Sequence, residues 1–104
     1  VQGLGQAMGE HAIFEEESGQ LINGSYMDYH MPRADEFPHL DLDFNEEAEC
    51  TTNMLGAKGC GEAGTVASTT AYVNAVYDAL SEYNFKELDM PITPMKVWEI
   101  INNN

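Results

Sequence analysis

Positive charge is scarce in this sequence: 4 lysines and arginines face 18 aspartates and glutamates in 104 residues, a formal net charge of −14. So acidic a chain repels phosphate backbones and anionic headgroups, which argues against DNA, RNA and anionic membrane surfaces as partners. Long apolar runs are missing as well, and no stretch approaches the roughly 18 residues of a membrane span. Cysteine is sparse. Cys50 and Cys60 have no secretory segment ahead of them, so a disulfide framework fits poorly and a reducing cytoplasm fits better. Internal repeats and linkers are absent, and 104 residues with 43% hydrophobic content suit one small domain of marginal core. The chain opens on Val1 rather than Met, in what reads as the middle of an element, so it is expected to be a piece of something larger.

What is present reads as an α+β unit: a small antiparallel sheet packed with a long helix, an N-terminal helix and a short C-terminal helix. Leu4, Ala7, Met8, His11 and Ala12 have helical spacing, while Gly3, Gly5 and Gly9 weaken that helix and suit close packing by a neighbour. "IFEEESGQLINGSYMDYHM" alternates about the turn-forming "ESGQ", which predicts a hairpin. Its Asn23-Gly24-Ser25 matches a glycosylation sequon, but Asn-Gly is equally a turn signal, and the sequon reads as accidental. "MPRADEFPHLDLDF" is held extended by its prolines and ends in a short strand through Leu40, Leu42 and Phe44. From about 62 to 84 the stripe Val66, Val73, Val76 and Leu80 predicts the long helix. "FKELDM" reads as a further short strand, Thr93 and Pro94 as the N-cap and first residue of the last helix, and "NNN" as a fraying tail.

Four patterns bear on chemistry. Gly59-Cys60-Gly61-Glu62-Ala63-Gly64 satisfies G-x-G-x-x-G, but a poor strand precedes it and an acid inside the turn would repel pyrophosphate. A small nucleotide-binding domain therefore stays a weak alternative, and a Walker A loop is excluded. Asp41, Asp43 and Asn45 begin like an EF-hand, yet Glu46 stands where Gly is required and Thr52 where Glu is required. His11, His30, His39, Cys50 and Cys60 lack zinc-ligand spacing. The fourth pattern is Glu62, a carboxylate among Gly56, Gly59, Gly61 and Gly64 at a helix start. It reads either as a general base brought close to a reacting group or as a first-turn acid favoured by the helix dipole.

In order, "QGLGQAMGE", "GQLINGSYMDYHMPRADEFP", "TTNMLGAKGCGEAG", "NAVYDAL" and "DMPITPMKVW" resemble the C-terminal end of the molybdenum-binding large subunit of the xanthine oxidase family. The branch is that of the carbon monoxide and aldehyde dehydrogenases, and the five blocks cover essentially the whole chain. The resemblance implies that Glu62 is the catalytic base of a molybdenum hydroxylase, in which water supplies the oxygen and an aldehyde, carbon monoxide or an N-heterocycle is oxidised. It places Ala57, Lys58, Gly59, Cys60 and Gly61 beside molybdenum and its molybdopterin, expected in the cytosine dinucleotide form, with no metal ligand from this chain. Carbon monoxide oxidation needs a copper-binding cysteine from an earlier loop of the family, so the substrate stays open. FAD and iron–sulfur clusters are expected on medium and small partner subunits. The isolated chain, an excised C-terminal domain or a split subunit spanning 1–104, is expected to hold no cofactor and to be inactive. The alternative of another class is a noncatalytic assembly module of the same fold.

Overall fold

Small residues on one side of the first helix set the packing of this chain, whose computed structural model describes residues 1–103. Helix α1 (Gln2–Met8) buries Gly3, Gly5 and Ala7. It lies against α2 (Ala63–Val66) and α3 (Ser68–Ala79). A Cβ on Gly3 would overlap the Ser68 side chain and come within 2.6 Å of the Gly64 carbonyl oxygen, so only glycine permits this approach. Ala7 is fully buried, and its carbonyl accepts the Ile92 N–H at 2.6 Å, which ties α1 to the far end of the chain.

Where the apolar stripe predicts one helix across about 62–84, the structure has α2, a break at Ala67, and α3 ending at Ala79. Hydroxyl side chains account for the break. Ser68 Oγ donates to the Gly64 carbonyl, Thr65 Oγ1 to the Glu62 carbonyl at 2.9 Å, and Thr69 Oγ1 to the Thr65 carbonyl at 3.2 Å. Such back-bonding competes with the helical ladder and bends it. Beyond Ala79 the chain turns through Ser81 N–H to Asp78 and Tyr83 N–H to Leu80, instead of continuing as helix. That turn directs Leu80 into the core with Leu88 and Ile92, where Tyr72, Val73, Val76, Phe85, Val97 and Ile100 pack against them. Val66, on the expected stripe, is exposed instead.

Helix α4 (Pro94–Asn102) opens with Pro94 in its first turn and Thr93 as N-cap, the Thr93 hydroxyl accepting the Lys96 N–H at 3.4 Å. Of the tail, Asn103 N–H still donates to the Glu99 carbonyl at 3.0 Å, and Asn104 lies outside the described residues. Strand pairing among the described residues amounts to one antiparallel bridge, Phe14 to Leu21. Around it Glu15 N–H donates to Gln20 and Ile22 N–H to Ile13, both at 2.8 Å, and Gly19 turns the chain at φ +69°. Asn23 is buried behind this turn. Its Oδ1 accepts the Ile13 N–H at 2.8 Å and its Nδ2 donates to the His11 carbonyl at 2.6 Å, so the amide is engaged at both ends and the sequon is structural.

Residues 39–55 form no helix or strand, and Leu42, Phe44, Met54 and Leu55 stand out in solvent. The "FKELDM" stretch likewise carries no strand, although Leu88 within it is buried. The whole chain has a radius of gyration of 18.0 Å, whereas a self-contained domain of this length has about 13 Å. It exposes 8904 Å², against about 5,800 Å² for a folded monomer of its mass. The difference of about 3,100 Å² on one side exceeds the half of an obligate interface that one partner contributes, about 1,000–2,500 Å².

Candidate functional site

The loop that leads into α2 is shaped by one amide. Asn53 Oδ1 accepts the N–H groups of Leu55 at 3.1 Å and Ala57 at 3.0 Å, and Nδ2 donates to the Ala57 carbonyl at 2.9 Å. The Asn53 carbonyl in turn accepts the Gly56 N–H at 3.2 Å. Gly56 makes the turn possible with φ +63°, a conformation that disfavours any side chain. Lys58 then folds back, its Nζ donating to the Ala48 carbonyl.

From Gly59 to Gly61 the chain's own hydrogen bonds thin to one among the described residues, the Cys60 carbonyl accepting the Ala63 N–H at 3.3 Å. A Cβ on Gly59 or Gly61 would meet nothing within 4 Å. The N–H groups of Gly59, Cys60 and Gly61 donate to no protein acceptor among the described residues. Glycine at 59 and 61 thus satisfies no packing or left-handed backbone demand made by this chain.

Glu62 is the N-cap residue of α2, at φ −101° and ψ −3°, and is exposed. Its backbone carbonyl accepts the Thr65 and Val66 N–H groups at 2.9 and 3.2 Å, while its carboxylate makes no capping hydrogen bond. Glu62 thus stands directly before α2 without capping it through its side chain. Through Gly64 and Ser68, the same turn is pressed against Gly3 of α1, so the base of the loop is held while its tip is bare.

The other candidate residues do not converge here. Asp43 and Asn45 use side-chain oxygens locally, on the N–H groups of Phe44 at 2.8 Å and Glu47 at 2.9 Å. Among the described residues no three His, Cys, Asp or Glu side chains are grouped to hold a metal ion. Both cysteines are free thiols. Cys50 Sγ lies 3.1 Å from Thr52 Oγ1 and 3.4 Å from Asn53 Nδ2, and the Thr52 hydrogen bond in particular holds its pKa below the ordinary thiol value. Sequence reading missed Asn53. The signal available for it was an Asn three residues ahead of a glycine, a pairing in which an amide side chain bonds the following backbone.

The loop thus presents the unengaged N–H groups of residues 59–61 just ahead of a carboxylate that caps nothing. Among known proteins, the profile of a molybdopterin cofactor-binding domain matches residues 1–38, ahead of this loop. The 6-hydroxypseudooxynicotine dehydrogenase complex subunit gamma of Paenarthrobacter nicotinovorans is 39% identical over 98 residues, 94% of this chain and 12% of the relative. The carbon monoxide dehydrogenase large chain of Hydrogenophaga pseudoflava is 33% identical over 104 residues, all of this chain and 13% of the relative. The aldehyde oxidoreductase molybdenum-binding subunit PaoC of Escherichia coli K12 is 29% identical over 93 residues, 89% of this chain and 12% of the relative. The chain belongs, as a segment, to the family of molybdenum-binding large subunits of the xanthine oxidase type. It spans 12–13% of the length of the first two relatives. No solved structure matches it. No helix among the described residues is long and apolar enough to cross a membrane.

Proposed function

We propose that this chain is the Glu62-bearing, C-terminal wall of the cofactor pocket in a molybdenum hydroxylase large subunit. The enzyme oxidises an aldehyde, carbon monoxide or an N-heterocycle. The observation that carries this reading is the pairing of a free Glu62 carboxylate with open space beside Gly59 and Gly61. These residues fit a molybdopterin-type cofactor: N–H groups of Gly59, Cys60 and Gly61 are unengaged, and the absence of side chains lets a large polar group lie directly on the backbone. When bound, the molybdenum cofactor supplies two-electron redox chemistry.

The chain's own contributions follow from its geometry. Residues Ala57 to Gly61 present main chain to the cofactor, and Lys58 is anchored at Ala48 at the edge of that face. Glu62 accepts a proton at its carboxylate from an oxygen acid, with water as the source of the oxygen. Closure of the pocket by the remainder of the subunit would exclude bulk water from the carboxylate.

The excess exposed surface supports assembly with the rest of the large subunit, and through it with FAD-bearing and iron–sulfur subunits in the cytoplasm. The α+β fold is completed in that assembly. His39, Asp41 and Asp43 alternate with Leu40, Leu42 and Phe44, and that run makes no backbone pairing within the described residues. It is suited to join a sheet edge whose one face is apolar and whose other is basic. The test is to isolate the chain with its native partners and measure molybdenum and pterin. A copurifying molybdopterin subunit is the expected result. A stable partner without molybdenum would replace this reading with that of a noncatalytic assembly module.

A further inference from the structure

Gly59 and Gly61 of the candidate site have no side chain to hold them, so something else must fix the shape of the loop. We infer that Asn53 is a positioning residue that presets the Ala57–Gly61 main chain for the cofactor, a role that rests on the functional reading above. Its amide uses both of its ends within four residues. Oδ1 gathers the Leu55 and Ala57 N–H groups, at 3.1 and 3.0 Å, and Nδ2 returns to the Ala57 carbonyl at 2.9 Å. Ala57 is therefore clamped through both its N–H and its C=O. Two residues further on, a Cβ on Gly59 would meet nothing within 4 Å, and the same holds at Gly61.

The amide also reaches backwards, with Nδ2 3.4 Å from Cys50 Sγ, so one side chain joins the segment entering the loop to the turn leaving it. Gly56, at φ +63°, sits inside this ring and lets the turn close, but its main chain alone makes only the single bond to the Asn53 carbonyl. A rigid loop gives up less conformational freedom when a ligand docks, so a preset loop binds tighter and holds reacting groups more accurately than a floppy one. No other side chain bonds the backbone of residues 55–61 among the described residues. Aspartate can replace the acceptor half of the amide and cannot replace the donor half.

The test uses the assembled large subunit, purified with Asn53, Asn53→Ala or Asn53→Asp. Three quantities are read: amide exchange across residues 55–61, pterin per subunit, and the split between kcat and KM. Asn53→Ala should speed exchange at Leu55 and Ala57 by at least about fivefold, the loss of roughly one net hydrogen bond. It should also lower pterin content or kcat by about tenfold, with KM little changed. Asn53→Asp should keep the exchange protection of both amides and recover part of the pterin content or kcat. Exchange and pterin content both unchanged in Asn53→Ala would overturn the inference, as would equal damage in Asn53→Ala and Asn53→Asp. A parent assembly that contains no pterin would sink the functional reading and the cofactor half of this one, while the exchange data would still decide whether Asn53 sets the loop.

Discussion

Alanine at Gly59 or Gly61 separates a glycine kept for the backbone from a glycine kept for a ligand. Neither position has a positive φ, and a Cβ at either meets nothing within 4 Å, so this chain accepts the methyl without strain. Alanine also restricts the unfolded chain, which stabilises by about 0.4–1 kcal/mol where the native conformation is compatible. Purified from a host that makes no molybdopterin, the assembled subunit carrying Gly59→Ala or Gly61→Ala should therefore melt at or slightly above the parent's temperature. With the cofactor present the sign reverses. A methyl forced between main chain and a close-packed group costs about 1–3 kcal/mol, or roughly 5- to 150-fold in affinity. Pterin content per subunit should fall accordingly in cofactor-limited cells, and turnover with it. Both readings come from the same preparations: a thermal melt and a pterin assay. Full pterin content and full turnover in both variants would refute the idea that these glycines make room for the cofactor. A large loss of stability without cofactor would show instead that the loop packs on protein.

Other consequences can be checked with single preparations. Gly3→Ala sets a methyl against the Gly64 carbonyl oxygen, which is backbone and cannot swing aside, so denaturation should show a loss of about 1–3 kcal/mol; an unchanged midpoint would mean that α1 does not dock on α2 and α3. Leu42→Lys with Phe44→Lys should weaken assembly at least tenfold by size-exclusion chromatography, because burying two such side chains contributes about 1.5–3 kcal/mol each; undiminished assembly would remove this run from the interface. Cys50 has its thiolate stabilised by Thr52, so its alkylation by iodoacetamide in a Cys60→Ser background should rise at a lower pH than for an ordinary thiol. Thr52→Val should shift that profile upward, and an identical profile would count against the Thr52 contact.

Local chemistry was the part of the structure most open to sequence reading. Thr93 and Pro94 specify the start of α4 because an acceptor hydroxyl and a fixed φ act within one turn. Gly19 marks the reversal behind the Phe14–Leu21 bridge, and the close approach suggested by small residues in α1 is made by Gly3 on Gly64 and Ser68. The break at Ala67 escaped notice because apolar periodicity does not register hydroxyls that bond their own backbone. The alternation through Leu40, Leu42 and Phe44 predicts a strand that the described residues do not show, because alternation names a face and pairing is a property of two segments. At the site, glycine spacing and the position of Glu62 were visible, and resemblance supplied their chemistry. Asn53 stayed hidden, because its importance lies in which backbone groups it reaches rather than in any pattern it belongs to.

Glu62→Gln in the assembled, cofactor-loaded enzyme bears most directly on the central claim. The change keeps size and hydrogen-bonding capacity and removes the ability to accept a proton at neutral pH. With pterin and molybdenum contents equal to the parent's, kcat should fall by about 10²-fold or more, with KM moving far less. Turnover equal to the parent's at the same cofactor content would contradict the account, because another group would then be taking the proton.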